Sequence, residues 1–256
     1  MRWIAVLALA LNAALAMARQ PAPEFPGQRK DPIPPSMPTA PVEPAASDPR
    51  AALPGIRVDL KARTIEFDGT VPIRLDDPRA PRVYLETLVC TPDTKEHESL
   101  VVTEVRPSHV HAALLMIGLE PGKPARWREE GNKVIPIPPE GPTVKIQFNY
   151  VGAAGQTVTD PPSRWITNAS TKAPWPSGDW VFAGSLVRNR QGQDRYEADL
   201  SGTLIGLASF GTEVLAWPGV ISPDSQVQEP EWIADARAVP PMGTKVSVRL
   251  TAAPRP

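Results

Sequence analysis

The side chains most often used in catalysis are concentrated in one stretch of this chain. Cys90 is the only cysteine, and all three histidines lie within the next 21 positions, beginning with His97. A thiol beside an imidazole and a lysine is the environment that lowers a cysteine pKa and produces a nucleophile, so Lys95 belongs to the same set. Glu98 is adjacent to His97, where a carboxylate can orient the imidazole. This segment is therefore the first candidate for chemistry.

The spacing predicts how the segment folds. Cys90 ends one predicted strand and Ser99 begins the next, so residues 91–98 are predicted to form a hairpin loop. Closure of that loop would place Cys90 opposite residues 97–99 at the border of a pocket. The alternative is structural: free cysteine often behaves as a small buried hydrophobe, and residues 95–98 then form a solvated turn. The residues alone leave both interpretations open.

The histidines also suggest a metal site. His109 and His111 are two positions apart in a predicted helix, where that spacing directs side chains to different sides. One of them, taken as His111, pairs with His97 and a carboxylate in a site for zinc or another divalent metal, or with Cys90 in a softer site. An iron–sulfur cluster is excluded because it needs about four thiolates from a chain with one cysteine. The residues predicted to border the pocket are Cys90, Lys95, His97, Glu98, Ser99 and His111.

Tryptophans form a second group of interest. Trp165, Trp175 and Trp180 fall within one proline-punctuated stretch, and Trp217 and Trp232 follow later. Exposed tryptophans form stacking platforms for sugars or hot spots for a protein partner. Buried tryptophans would instead fill the core beneath long loops. Solvent exposure decides between these two interpretations.

The elements that must position these residues are mostly strands. Period-two alternation of apolar and polar residues predicts strands at 56–60, 64–67, 82–90, 99–105, 143–150, 179–188, 196–200, 203–209 and 245–250. Asp68-Gly69 is a turn signal of the hairpin type, and Ser201-Gly202 predicts a second hairpin. These patterns favour pairing between strands that follow one another along the chain.

One helix is predicted with a clear apolar face. Val110, Ala113, Leu114 and Ile117 recur at helical spacing, Pro107-Ser108 suits a helix start, and Gly118 suits its end. A shorter helical turn is predicted for residues 212–216. The fold class is therefore β-dominated α+β: a single domain at 55–253, mostly antiparallel strands with one clear amphipathic helix, preceded by a disordered proline-rich segment.

The first 54 residues are predicted to be an export signal followed by a spacer. Met1-Arg2 is followed by an apolar run, and Ala16-Met17-Ala18 fits a cleavage site, so residues 1–18 are predicted to be a signal peptide. An uncleaved anchor is the alternative. Residues 19–54 contain eleven prolines and are predicted to be a disordered linker. The expected location is periplasmic or secreted, with no transmembrane segment after signal removal.

Composition excludes several classes of function. Lysine plus arginine number 27 against 28 aspartate plus glutamate, and no basic cluster of the density that phosphate backbones require is present. Nucleic acid is therefore not an expected partner. Neither a phosphate-cradling glycine loop with a lysine nor a Gly-x-Ser-x-Gly nucleophile motif occurs, since Ser185 lacks the second glycine.

Several blocks of the chain resemble the YdjY-domain family of exported bacterial proteins. The most specific is Cys90-Thr-Pro-Asp-Thr-Lys-Glu-His97-Glu-Ser-Leu100, followed by Pro107-Ser-His-Val-His111, Trp180-Val-Phe-Ala-Gly-Ser185, Tyr196-Glu-Ala-Asp-Leu-Ser-Gly-Thr-Leu-Ile205 and Val239-Pro-Pro-Met-Gly-Thr-Lys-Val246. The resemblance covers most of 55–253 and implies an envelope or extracellular location and a domain of unassigned function. Some chains of the family are described as ferredoxin-like, which one cysteine does not permit here.

Three hypotheses follow. The first is an exported binding or accessory domain with a pocket around Cys90 and His97. The second is an enzyme that uses Cys90 as a nucleophile or a histidine-bound metal. The third is an envelope module that binds a protein or glycan through its tryptophan-rich loops. Oligomeric state, ligand and reaction stay open at this stage.

Overall fold

The computed structural model describes residues 53–77, 79, 81–131 and 133–254. The predicted signal peptide at 1–18 and the predicted linker up to residue 52 lie outside the described residues. No helix within the described ranges has the length and apolarity needed to span a bilayer.

The described residues form sixteen strands and two helices, which confirms the β-dominated α+β class. The strands are β1 Ile56–Asp59, β2 Thr64–Thr70, β3 Thr87–Cys90, β4 Ser99–Val102, β5 Arg126–Glu130, β6 Lys133–Ile137, β7 Thr143–Val151, β8 Thr157–Asp160, β9 Ile166–Asn168, β10 Trp180–Phe182, β11 Val187–Arg190, β12 Gln193–Tyr196, β13 Thr203–Gly206, β14 Leu215–Ala216, β15 Trp232–Ala234 and β16 Lys245–Ala252. The helices are α1 Pro107–Met116 and α2 Glu197–Ser201.

A ten-stranded sheet dominates the fold. Its strand order is β1-β2-β16-β7-β10-β14-β13-β3-β4, with β8 added beside β7. Most neighbours are antiparallel, but β13–β14 and β3–β4 are parallel pairs. The strand order ends at β4, and β4 also pairs with β2 through Val102 and Thr70. The sheet therefore closes into a ring.

Closure of the ring depends on Gly69. A Cβ atom at this position would lie 2.5 Å from Val101 Cγ1 and 2.6 Å from the Val102 carbonyl oxygen. The Thr103 hydroxyl donates a hydrogen bond to the Asp68 carbonyl at 2.7 Å across the same junction. The predicted turn at Asp68-Gly69 is therefore wrong. The glycine lies inside β2, where it permits two strands to approach closely.

Helix α1 is confirmed. Its buried residues include Val110, Ala113 and Leu114. Its first turn is capped from outside, because Asp199 of α2 accepts a hydrogen bond from the Ser108 backbone N–H at 2.8 Å. A carboxylate at this end satisfies an orphan donor and complements the helix dipole.

Two further local regions differ from the prediction. The strand predicted at 196–200 and the hairpin turn predicted at Ser201-Gly202 are replaced by α2, which ends at Gly202 with a φ of 68°. Alternation over five residues fits a short helix as well as a strand. Residues 215–216, expected in a helical turn, form β14, because they pair in parallel with Ile205 and Gly206 of β13. Tertiary pairing overrides local propensity here.

Candidate functional site

The segment around Cys90 is not a hairpin. Strands β3 and β4 run in parallel, with Thr87 paired to Ser99 and Cys90 paired to Val102. The connection 91–98 must therefore run back along the strands before β4 begins. This overturns the predicted loop closure, because Cys90 lies at the far end of the pair from the residues that begin β4.

Cys90 is a core residue. It is completely buried, whereas the His97 side chain is 74% exposed. Burial raises the pKa of the Cys90 thiol. Nearby polar groups lower that pKa but do not outweigh burial. The thiol is therefore kept neutral away from the exposed imidazole, which is the opposite of an activated nucleophile.

Ser99 is also interior. It is completely buried, and its hydroxyl hydrogen-bonds with that of Thr87 across the parallel pair. Of the predicted pocket residues, Cys90 and Ser99 thus support the sheet and do not line a surface cleft.

His111 belongs to a different part of the fold. Its Nδ1 lies 2.8 Å from the Tyr196 hydroxyl, which donates to the Gly184 carbonyl at 3.0 Å. Its ring also packs edge-on against Phe182 at 4.9 Å. Burial lowers the pKa of His111, so the neutral imidazole is favoured. His111 therefore connects α1 to the residues that follow β10.

No metal can be assigned to the predicted pair His97 and His111. Within the described ranges, no group of three or more His, Cys, Asp or Glu side chains is arranged to hold an ion. His111 is engaged with Tyr196, and the nearest acidic partner of His97 Nε2 is Glu98 Oε1 at 3.6 Å. In the described part of the chain, these two histidines therefore lack the additional ligands that a metal site requires.

The structure does bring Lys95, His97 and Glu98 together, and it adds Glu86. Lys95 Nζ lies 2.5 Å from Glu86 Oε2. Burial raises the pKa of Glu98, and the hydrogen bond and negative charge of Glu86 raise it further. We call Glu86 and Glu98 the carboxylate pair. Two acids that share a site in this way resist simultaneous ionisation.

The parallel register creates the carboxylate pair. Glu86 directly precedes β3 and Glu98 directly precedes β4, and the first residues of these strands are paired. The Glu86 backbone N–H donates to the Glu98 carbonyl at 3.1 Å, which extends the register by one residue. Sequence reasoning missed Glu86 because it assumed an antiparallel hairpin. A parallel alignment of the two strand starts would have matched the two glutamates.

The carboxylate pair opens into a surface cleft of about 90 Å³, which we call the acidic cleft. Four glutamates line it, and no lysine or arginine is among its lining residues. The acidic residues are Glu86, Glu98, Glu229 and Glu231, and the aromatic and aliphatic walls include Tyr84, Leu85, Leu207, Ile221 and Trp232. Lys95 stands beside it with its Nζ 4.4 Å from the centre of the Phe210 ring.

The tryptophans do not form an exposed platform. Trp165, Trp175 and Trp180 are 0%, 2% and 1% exposed. Trp175 packs edge-on against Trp217 at 4.9 Å and Trp232 at 4.7 Å. The three central side chains belong to the core, so the predicted stacking surface is absent from these positions. Trp232 alone extends from this cluster to the wall of the acidic cleft.

Comparison with known proteins gives one match. Residues 56–251 match the family model of the YdjY domain. No curated protein and no solved structure matches the chain. The matched range begins at the first residue of β1 and ends within β16, so it spans the whole ring and the acidic cleft.

Proposed function

The chain belongs to the YdjY-domain family, and we propose that it is an exported binding domain whose acidic cleft receives an organic cation. The observation that supports this proposal is the convergence of four glutamates on one cleft without a lining lysine or arginine. Lys95 already pairs with Glu86, so an ammonium or guanidinium group entering the cleft would pair with Glu98, Glu229 or Glu231.

The chemistry of the cleft favours a cation with an apolar body. Tyr84 and Trp232 present aromatic surface beside the glutamates, and a cation over an aromatic face gains additional attraction. The volume of about 90 Å³ corresponds to roughly three water molecules. Only the charged head of a ligand fits inside, and the rest of the ligand lies along the rim.

The electrostatics predict how binding depends on pH. A bound cation favours the ionised form of Glu98, whose pKa is raised in the free protein by burial and by Glu86. Affinity should therefore be highest where Glu98 is ionised and should fall as pH decreases. The loss should begin at a higher pH than for an ordinary glutamate, because the starting pKa is higher.

The test is calorimetric titration of the full chain with phenethylammonium at low ionic strength, where charges are least screened. We expect Glu98→Gln to weaken binding about fivefold, the size expected when one partly exposed charge pair is lost. Glu129→Gln on the exposed strand β5 is the matched control and should change nothing. Equal binding of the neutral analogue phenethyl alcohol, or an unchanged affinity in Glu98→Gln, would contradict the proposal.

Export is a separate part of the proposal. It is supported by the apolar run and the Ala16-Met17-Ala18 cleavage pattern at the start of the sequence. Fractionation of cells that make the full chain should recover it outside the cytoplasm with Arg19 as its first residue. Recovery in the cytoplasmic fraction with Met1 retained would exclude export.

A further inference from the structure

We propose that the domain has a second ligand site, which binds a small organic anion carrying a carboxylate or phosphate group. The site is an open cleft of about 420 Å³, which we call the basic cleft. It lies beside β15 and the residues that follow it, and none of its lining residues lines the acidic cleft. This inference is therefore independent of the proposed function.

The walls of the basic cleft are rich in positive charge. Four cationic side chains and two aspartates line it, whereas the whole chain carries a net charge of −1. The cationic residues are Arg74, Arg82, Lys172 and Arg237. This local excess is not a general property of the surface, since the chain as a whole is nearly neutral.

The aspartates of the basic cleft are already neutralised. Asp235 accepts hydrogen bonds from the Arg237 guanidinium at 3.0 and 2.8 Å, and Asp77 forms an ion pair with Arg79 at 3.2 Å. Neither pair involves Arg74 or Arg82, whereas the charge of Lys172 contributes to lowering the pKa of Asp235. Among the described residues, no carboxylate forms a salt bridge with any of the remaining three: Arg74, Arg82 and Lys172.

The loop that carries Lys172 is held in a fixed shape. The Asn168 side-chain oxygen accepts the backbone N–H groups of Ser170 and Thr171, both at 3.0 Å. The Lys172 N–H donates to the Asn168 carbonyl at 3.1 Å. Lys172 itself has a φ of 62°, which costs a non-glycine residue roughly 1 kcal/mol. A lysine thus occupies a position where glycine would be less strained, and its Nζ, at the cleft wall, donates a hydrogen bond to the Ala169 carbonyl at 2.6 Å.

The remaining lining explains why the ligand should be organic. Apolar side chains lie between the cations: Leu75, Pro81, Val83, Ile233 and Ala234. An anion with an apolar body would place its charge against the arginines and bury its body on this surface. Inorganic phosphate would gain only the first of these contributions, so it should bind more weakly than an aromatic phosphate.

Residues 83–84 and 232–233 contribute to both the basic cleft and the acidic cleft. Tyr84 and Ile233 form an antiparallel bridge. Ile233 and Val83 line the basic cleft, whereas Tyr84 and Trp232 line the acidic cleft. Neighbouring residues of the same two segments thus belong to different clefts, so the two clefts lie next to each other.

The experiment is titration of the full chain with phenyl phosphate, benzoate and inorganic phosphate. We expect saturable binding of an aromatic anion, weakened about fivefold by Arg82→Gln and by Arg74→Gln, and more strongly by the double variant. The difference between phenyl phosphate and benzoate identifies the preferred head group. Arg188→Gln on the exposed strand β11 is the matched control and should leave the affinity unchanged.

Three outcomes would overturn the second site. These are the absence of saturable binding of both aromatic anions, an equal loss in Arg188→Gln, or equal binding of neutral benzyl alcohol. Cross-titration separates the two proposals, because Glu98→Gln should leave anion binding unchanged and Arg82→Gln should leave cation binding unchanged. Since Arg74 and Arg82 are exposed, an unchanged melting temperature is expected for their variants and confirms that the fold is intact.

Discussion

Glu213 is a completely buried carboxyl group in the connection between β13 and β14. One carboxyl oxygen accepts the Thr212 backbone N–H at 2.9 Å, and the other is buried without a hydrogen-bond partner among the described residues. Burial raises the pKa of Glu213 to about 7, although several backbone N–H groups of the same loop act in the opposite direction. The side chain is therefore protonated in the folded protein at mildly acidic pH.

The raised pKa of Glu213 predicts that the stability of the protein depends on pH. The folded protein retains the proton up to about pH 7, whereas the unfolded chain releases it near 4.5. Between these values the folded state binds more protons, so the free energy of unfolding falls as pH rises and then levels off. A shift from 4.5 to about 7 corresponds to roughly 3 kcal/mol. Glu213→Gln should therefore stabilise the protein at pH 8 and have little effect at pH 5.

Urea unfolding of both proteins at the two pH values measures the effect. Glu129→Gln, on the exposed strand β5, is the control and should leave the pH dependence as it is in the unsubstituted chain. If Glu213→Gln lowered the free energy of unfolding equally at pH 5 and pH 8, the carboxyl would be ionised in the fold, contrary to this prediction.

The burial of Cys90 makes a second prediction at the residue scale. Its thiol should react with a disulfide reagent only after unfolding, because it is completely buried and burial raises its pKa. The rate of labelling in native buffer and in denaturant measures this. Cys90→Ala should retain cation binding in the acidic cleft. Native labelling as fast as that of a free thiol would show that the thiol is accessible.

The junction of β2 with β4 is the most sensitive contact between elements. Gly69→Ala would place a methyl group within 2.6 Å of the Val102 carbonyl oxygen, and the strands would have to separate. We expect a loss of roughly 1–3 kcal/mol in the free energy of unfolding, the cost typical of overpacking. The control is Gly152→Ala, whose new Cβ would meet only the flexible side chain of Gln156. Equal unfolding free energies for the two variants would argue against a tight closure.

The elements that sequence reasoning predicted correctly carry long regular patterns. Helix α1 has four apolar positions at helical spacing, and β7 and β16 alternate over most of their length. Strand pairing could not be predicted in the same way, because parallel β3 and β4 are set by register and not by local pattern. For the same reason the segment 95–98 was identified as a site while its partner Glu86 was missed.

At the scale of the whole molecule, the buried hydrophobic residues of the described chain begin at Ile56, and Leu53 packs against them. The first backbone hydrogen bond of this unit joins the Ile56 N–H to the Leu53 carbonyl at 3.1 Å. Deletion of residues 2–52 should therefore leave the melting temperature unchanged. Calorimetry of the full chain and the shortened chain tests this. A fall of more than about 4 °C, equivalent to roughly 1 kcal/mol or more, would assign the deleted residues a part in stability.

The closed ring has a consequence for the entropy change when a ligand binds. The connection 91–98 is anchored at both ends, since β3 is bonded to β13 and β4 meets β2. The backbone that carries Glu86 and Glu98 was therefore ordered when the chain folded. A ligand that enters has little protein to order, so the entropic cost of association falls on the ligand itself. Among cations of equal charge, the more rigid ones should bind most tightly.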